Sequence, residues 1–299
     1  MRVFVTGASG HIGSAVVPEL LSAGHEVVGL ARSDASAAAL EAAGASVHRG
    51  DLTDLDGLAS AAGAADGVVH LAYDHQAMVE GRMEDAVALD LRVIEAMGAA
   101  LAGSGKPFVG TSGTMLLAFA GLGGGSVGTE DDVLPDHGRA ANENAVVALA
   151  QRDVRSSVIR LTPTVHSDLD TTGFVPALIA IARETGVAGY VGDGANRWPA
   201  VHTLDAARLY RLALESAPAG ARLHAVADEG VPFKDIATVI GEQLGVPARS
   251  AEPEHFRFLA GFVGLDGPAT SAKTRELLGW APEHPGLLDD LREGHYFGR

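Results

Sequence analysis

A chain of 299 residues with 47% hydrophobic and 20% charged side chains can bury one large core with a smaller lobe attached, and nothing in its composition suggests a fibre or a disordered segment. Its 38 acidic against 22 basic residues give a formal net charge of −16, which disfavours nucleic acid and anionic membrane as partners. With no cysteine, disulfide and thiolate chemistry are excluded. The first residues read as a core strand rather than a leader, and no apolar run approaches about 18 residues, so a cytoplasmic location is expected.

The chain opens on VFVTGASGHIG, Val3 to Gly13. Phe4 and Val5 read as a buried parallel strand, and three glycines follow at three-residue spacing. Gly7 permits a tight turn, Gly10 lets backbone N–H groups approach a pyrophosphate, and Gly13 lets the next helix pack close to the sheet. Ser9, His11 and Ile12 belong to the same loop and are assigned to the dinucleotide with it. A helix through Val16, Val17, Leu20 and Leu21 ends at Ala23-Gly24 and hands over to a strand from Glu26 to Leu30, completing a βαβ unit. An enzyme preferring NAD usually places Asp or Glu after that strand to hold the ribose 2′-OH; here Ala31, Arg32 and Ser33 stand there. Arg32 and Ser33 suit a 2′-phosphate, so NADP is the expected cofactor, with NAD kept open through Asp34.

Further strands are expected over 46–52, 67–72, 106–112 and 156–161, with helices over 85–101 and 142–152. This alternation predicts an α/β, Rossmann-type doubly wound parallel sheet whose ligands sit at the carboxyl ends of the strands. Asp51, Leu71 to His75 and Thr111 to Thr114 then surround one cleft. The glycine-rich run 121–128 is expected to be a flexible loop, and the acidic run 129–132 solvated surface. Past Thr162-Pro163 the pattern is mixed, with helices expected near 175–183, 204–214, 233–244 and 272–278. Residues 1–165 are therefore read as the dinucleotide-binding domain. Residues 166–299 are read as a smaller α/β substrate lobe, some of whose segments return to the sheet.

VTGASGHIG, Gly50-Asp51-Leu52, His70-Leu71-Ala72, Thr111-Ser112-Gly113 and GDGANRWPAVHTLDAA (192–207) together resemble the extended short-chain dehydrogenase/reductase superfamily, in its epimerase/dehydratase-like branch. The resemblance implies that Asp51 and Leu52 flank the adenine and that Leu71 and Ala72 line the cofactor cleft with Tyr73 and Thr111. It also implies that Pro163 lies near the nicotinamide and that Ser112 binds a substrate oxygen.

One departure stands out. Such enzymes act through a Tyr with a Lys four residues on, the lysine lowering the phenol pKa from about 10. Here the tyrosines are 73, 190, 210 and 296, and Ala77, Gly194 and Leu214 follow the first three at that distance. Aligning Glu143 with the family's acidic residue puts Arg139 at the lysine position and Pro135 at the tyrosine position. Arg139 can hold ribose hydroxyls and supply charge but cannot release a proton. Proton donors are sought among Tyr73, Asp74, His75, His137 and His166, with His75 and Tyr73 leading.

Asn196, Arg197 and Trp198, together with His166, are assigned to the substrate pocket, Arg197 for a diphosphate or Trp198 for a flat apolar group. The spacing of His70 and His75 fits no helical ligand pair, and no metal is expected. The expected function is an NADP-dependent oxidoreductase acting on a carbonyl or related group of a small molecule. The alternatives are a nucleotide-sugar epimerase or dehydratase and a catalytically silent NADP-binding sensor. A homodimer is expected through Val87, Leu91, Ile94, Val146 and Leu149.

Overall fold

Val3 and Val5 point to one side of the first strand and Phe4 to the other, and all three are fully buried. Both faces of the sheet are therefore covered, as a parallel sheet requires. The computed structural model describes residues 1–122 and 126–298, apart from the side chains of residues 78 and 79. The flexible loop expected over 121–128 falls partly outside these residues.

The elements run β1 (Arg2–Thr6), α1 (Gly13–Ser22), β2 (Glu26–Ala31), α2 (Asp34–Ala42), β3 (Ser46–Arg49), α3 (Leu55–Ala64), β4 (Gly67–His70), α4 (His75–Val79) and α5 (Met83–Leu101). Next come β5 (Pro107–Gly113), α6 (Met115–Phe119), α7 (Arg139–Ala148), β6 (Arg155–Leu161), β7 (Thr164–His166), α8 (Phe174–Thr185), β8 (Ala188–Tyr190) and β9 (Arg197–His202). The rest are α9 (Thr203–Ser216), β10 (Ala221–Ala225), β11 (Asp228–Pro232), α10 (Phe233–Leu244), β12 (Ala248–Ser250), α11 (Ala272–Leu278) and α12 (Leu287–Arg292).

Seven strands form the main sheet in the order β10-β6-β5-β4-β1-β2-β3, every pairing parallel. Val3 and Val5 pack with Val16 and Leu20 of α1 and with Leu209 and Leu214 of α9. Phe4 packs with Leu58 of α3, Met97 of α5 and Val146 of α7. Strand order reverses between β1 and β4, which opens the ligand crevice at their carboxyl ends.

Residues beyond 165 serve both parts of the molecule. β10 completes the main sheet and α9 covers it, whereas β11-β9-β7 and the pair β12-β8 build a second lobe around Trp198, Phe233, Ile236, Phe256 and Leu291. Among the described residues no helix is long and apolar enough to cross a membrane.

Candidate active site

Gly7 has φ +66°, and a Cβ on it would lie 2.7 Å from the Ala72 backbone nitrogen. The turn after β1 thus sits directly against Leu71 and Ala72, at the switch point between β1 and β4. A Cβ on Gly13 would stand 2.1 Å from the Gly7 carbonyl oxygen, so only glycine lets α1 begin there. No side chain caps α1. Ser14 and Ala15 already donate to the Gly10 and Ile12 carbonyls, but the start of α1 still presents the positive end of the helix dipole to an anionic ligand, and the loop fits a pyrophosphate.

At the end of β2, Arg32 and Ser33 are both exposed. The Ser33 hydroxyl accepts the Ser36 N–H at 3.1 Å and caps α2. Arg49, not singled out in the sequence, donates to the Ser33 carbonyl at 2.7 Å and pairs with Asp34. Asp51 accepts both the amide (2.7 Å) and the hydroxyl (2.6 Å) of Thr53, which hold its carboxyl below the usual range, and Arg32 adds a smaller pull. Leu52 and Pro163 are half-buried. The Thr111 hydroxyl donates to the His70 carbonyl at 2.7 Å and lies 2.8 Å from the Tyr210 hydroxyl, so it braces the sheet.

Tyr73, His75 and Arg139 come together on the loop after β4 and at the start of α7. The Arg139 guanidinium lies 4.1 Å from the Tyr73 ring centroid, in a cation–π contact. Its Nε is buried without a hydrogen-bond partner. The rings of Tyr73 and His75 meet edge to face at 5.3 Å. Desolvation raises the Tyr73 phenol, with Arg139 pulling the other way, so the phenol is protonated at neutral pH. Desolvation and then the Arg139 charge lower His75, which stays neutral. Among the described residues the Tyr73 hydroxyl has one hydrogen-bond partner, the Met83 sulfur at 3.5 Å. A phenol held protonated, weakly engaged and next to a fixed cation can donate a proton.

Asp74 is not free for such work, because its carboxylate accepts the Ala77 N–H at 3.0 Å in the first turn of α4. His70 lies 2.6 Å from the Thr6 hydroxyl and 2.9 Å from Asp90, whose other oxygen accepts the Asn142 amide at 2.7 Å. These groups brace β1, β4, α5 and α7 beneath the cleft.

The residues expected at the substrate side are buried or already engaged within the fold. Ser112 is 3% exposed and donates to Glu143 at 2.7 Å. Glu143 also takes two bonds from Arg160, at 2.6 and 3.0 Å, and one from Arg222 at 3.0 Å. Burial alone would raise its carboxyl, but Arg160, Ser112 and Arg222 outweigh that and hold it low. Trp198 is fully buried, 4.8 Å from Phe233 and 5.8 Å from Phe174 between ring centroids. Asn196 spends its amide on the carbonyls of Val263 (2.9 Å) and Leu265 (3.2 Å). His166 is fully buried, with Nδ1 2.9 Å from Asp290. Arg197 stays partly exposed but is neutralised by a two-pronged pair with Asp266 at 2.8 and 3.0 Å.

His11 reaches across to the lobe, with Nε2 3.0 Å from the Thr203 hydroxyl and Nδ1 3.6 Å from Asp170. Burial, with a further push from His166, lowers His11 to about 4, and burial raises Asp170 to about 6. Asp170 accepts the Gly173 N–H at 2.8 Å, in the turn before α8. Sequence reasoning passed over Asp170 and Thr203, because their meeting with His11 is long-range and no local spacing announces it.

The NAD dependent epimerase/dehydratase family pattern matches residues 3–116. A protein of Schizosaccharomyces pombe is 46% identical across 99% of this chain and all of its own length. A 2-alkyl-3-oxoalkanoate reductase of Stenotrophomonas maltophilia is 28% identical, covering 83% of this chain and 77% of its own. A UDP-glucose 4-epimerase of Thermus thermophilus complexed with NAD shares the fold at a TM-score of 0.73 and 22% identity, over 100% of this chain and 99% of that one. This chain belongs to the NAD dependent epimerase/dehydratase family. It has that family's α/β architecture, that of the extended short-chain dehydrogenases/reductases, with a dinucleotide cleft at the β1/β4 switch point.

Proposed function

We propose that this chain is an NADP-dependent oxidoreductase that reduces a carbonyl or related group on a small molecule with a largely apolar face. The observation that carries this reading is the Tyr73, Arg139 and His75 group at the carboxyl edge of the sheet. Residues 1–165 supply the dinucleotide side of the cleft, and residues beyond them most of the substrate side. A nicotinamide dinucleotide held by the Gly7–Gly13 loop would supply the hydride for the carbonyl carbon. Tyr73 gives its phenolic proton to the carbonyl oxygen, Arg139 stabilises the phenolate left behind and holds the ribose, and neutral His75 returns a proton from water.

NADP is favoured because Arg32 is exposed after β2 while Arg49 already pairs with Asp34, the carboxylate that would otherwise hold a ribose hydroxyl. An apolar substrate is supported by an aromatic row at the carboxyl edge: Phe119 lies 5.4 Å from Phe262, which lies 5.5 Å from Phe174. The likeness to a 2-alkyl-3-oxoalkanoate reductase supports the same chemistry. The nucleotide-sugar alternative is weakened because Arg197, its candidate for the diphosphate, is already paired with Asp266. The test is NADPH and NADH oxidation against a panel of alkyl and aryl ketones, β-keto acids and nucleotide sugars. Turnover on ketones with NADPH supports the proposal; tight NADPH binding with no turnover on any of them transfers the protein to the sensor class.

A further inference from the structure

Asp290 of α12 is 2% exposed, and among the described residues no lysine or arginine comes within 4 Å of it. Its ion-pair partners among the described residues are all imidazoles. His166 Nδ1 is hydrogen-bonded to it at 2.9 Å, while His295 Nε2 stands at 3.7 Å and His202 Nε2 at 3.9 Å. A buried carboxylate needs a compensating cation, which here is either a proton on one of these rings or a metal ion.

The three imidazoles are not equivalent. His202 Nδ1 accepts the Leu204 N–H at 3.2 Å, so a neutral His202 carries its proton on Nε2 and has no lone pair to offer there. His166 fixes Asp290 through its hydrogen bond, as a group hydrogen-bonded to a metal-bound carboxylate does. His295 Nε2, like His166 Nε2, is buried without a hydrogen-bond partner, but it is the one that faces Asp290, across a gap too long for a hydrogen bond. Two ligand atoms about 2.1 Å from a tetrahedral ion stand about 3.4 Å apart, close to that gap. Glu293, exposed at the end of α12, brings a third donor, and the ligand atoms of Asp290, Glu293 and His295 all lie within 4.8 Å of one another.

We propose that Asp290, Glu293 and His295 form a divalent transition-metal site, selective for an ion of the zinc type, with water as the fourth ligand. One imidazole with two carboxylates suits zinc better than the all-oxygen cations. The bound ion fastens His295 to α12, and the neighbouring Tyr296 accepts the Ser167 N–H at 3.0 Å. The site is therefore a staple for the lobe, apart from the chemistry at Tyr73.

The experiment is calorimetric titration of Zn²⁺ into untagged, EDTA-treated protein, with thermal unfolding measured alongside. The expected result is one equivalent bound with micromolar or tighter affinity and a melting temperature raised by a few degrees in excess metal. Glu293→Gln, an exposed change that leaves the fold intact, weakens binding at least tenfold, and His295→Ala weakens it further. His25→Ala, at the surface pair with Glu215, leaves it unchanged. No binding below about 100 μM overturns the proposal, as does binding indifferent to both Glu293→Gln and His295→Ala, which marks an adventitious ion only.

Discussion

Arg32 and Ser112 show what a single residue reveals in sequence and what it hides. Arg32 follows a strand and precedes a helix, so its place at the cofactor edge is set by local order alone. If it meets a 2′-phosphate, Arg32→Ala weakens NADPH binding at least tenfold and leaves NADH nearly unchanged; fluorescence titration of both cofactors checks this, and equal loss of both rejects it. Ser112 fails for an equally local reason. Side chains alternate along a strand, so Thr111 points toward Tyr210 of α9 while Ser112 points toward Glu143 of α7. A one-residue uncertainty in register decides between those two faces. The same alternation on β9 sends Trp198 into the lobe and leaves Arg197 outside.

At the scale of elements, the glycine loop, the helix after it and the alternating strands were legible because each is encoded by neighbours in sequence. Expected helices over 233–244 and 272–278 match α10 and α11, and strands 46–52 and 67–72 only overran β3 and β4. What stayed hidden depends on long-range partners: the Arg160–Glu143–Arg222 group spans α7, β6 and β10, and no spacing announces it. Trp198 illustrates the cost of that blindness. Placed in the lobe core between Phe174 and Phe233, Trp198→Ala should destabilise by about 3–5 kcal/mol. Urea unfolding measures it. An unchanged midpoint with a raised KM would instead restore the substrate role.

For the molecule as a whole, buried ionisable groups set the response to acid. His11, His202 and His224 are each lowered to about 4, by burial first in every case. Between about pH 4 and 6.5 the unfolded chain binds the protons these rings refuse, so they stabilise the fold above pH 6.5 and lose that contribution as pH falls. Asp170, raised to about 6, works the other way: its contribution is present below pH 3.8 and is lost as pH rises through 6. Three groups outweigh one, and each unmatched proton is worth about 1.4 kcal/mol per pH unit. Melting temperature should therefore fall as pH drops from 7 to 5, and more steeply in Asp170→Asn, which loses the opposing term. A flat profile would contradict this.

Assembly belongs to the same scale. Ile94, Val146 and Leu149, expected at a dimer contact, are buried within the protomer at 2–4% exposure. A homodimer through α5 is thus proposed on a smaller outward face containing Val87 and Leu91, and light scattering at micromolar protein should return the dimer mass. A monomer there removes the proposal.

The central assignment is Tyr73 as proton donor, held by Arg139 in place of the lysine found in related enzymes. Its most direct test is Tyr73→Phe, assayed with NADPH on a ketone the parent protein reduces, with NADPH affinity measured in parallel. Loss of the donor should lower kcat by about 10²- to 10⁴-fold while the NADPH dissociation constant stays within about twofold. Turnover equal to the parent's would contradict the assignment and leave His75 or solvent as the source of the proton.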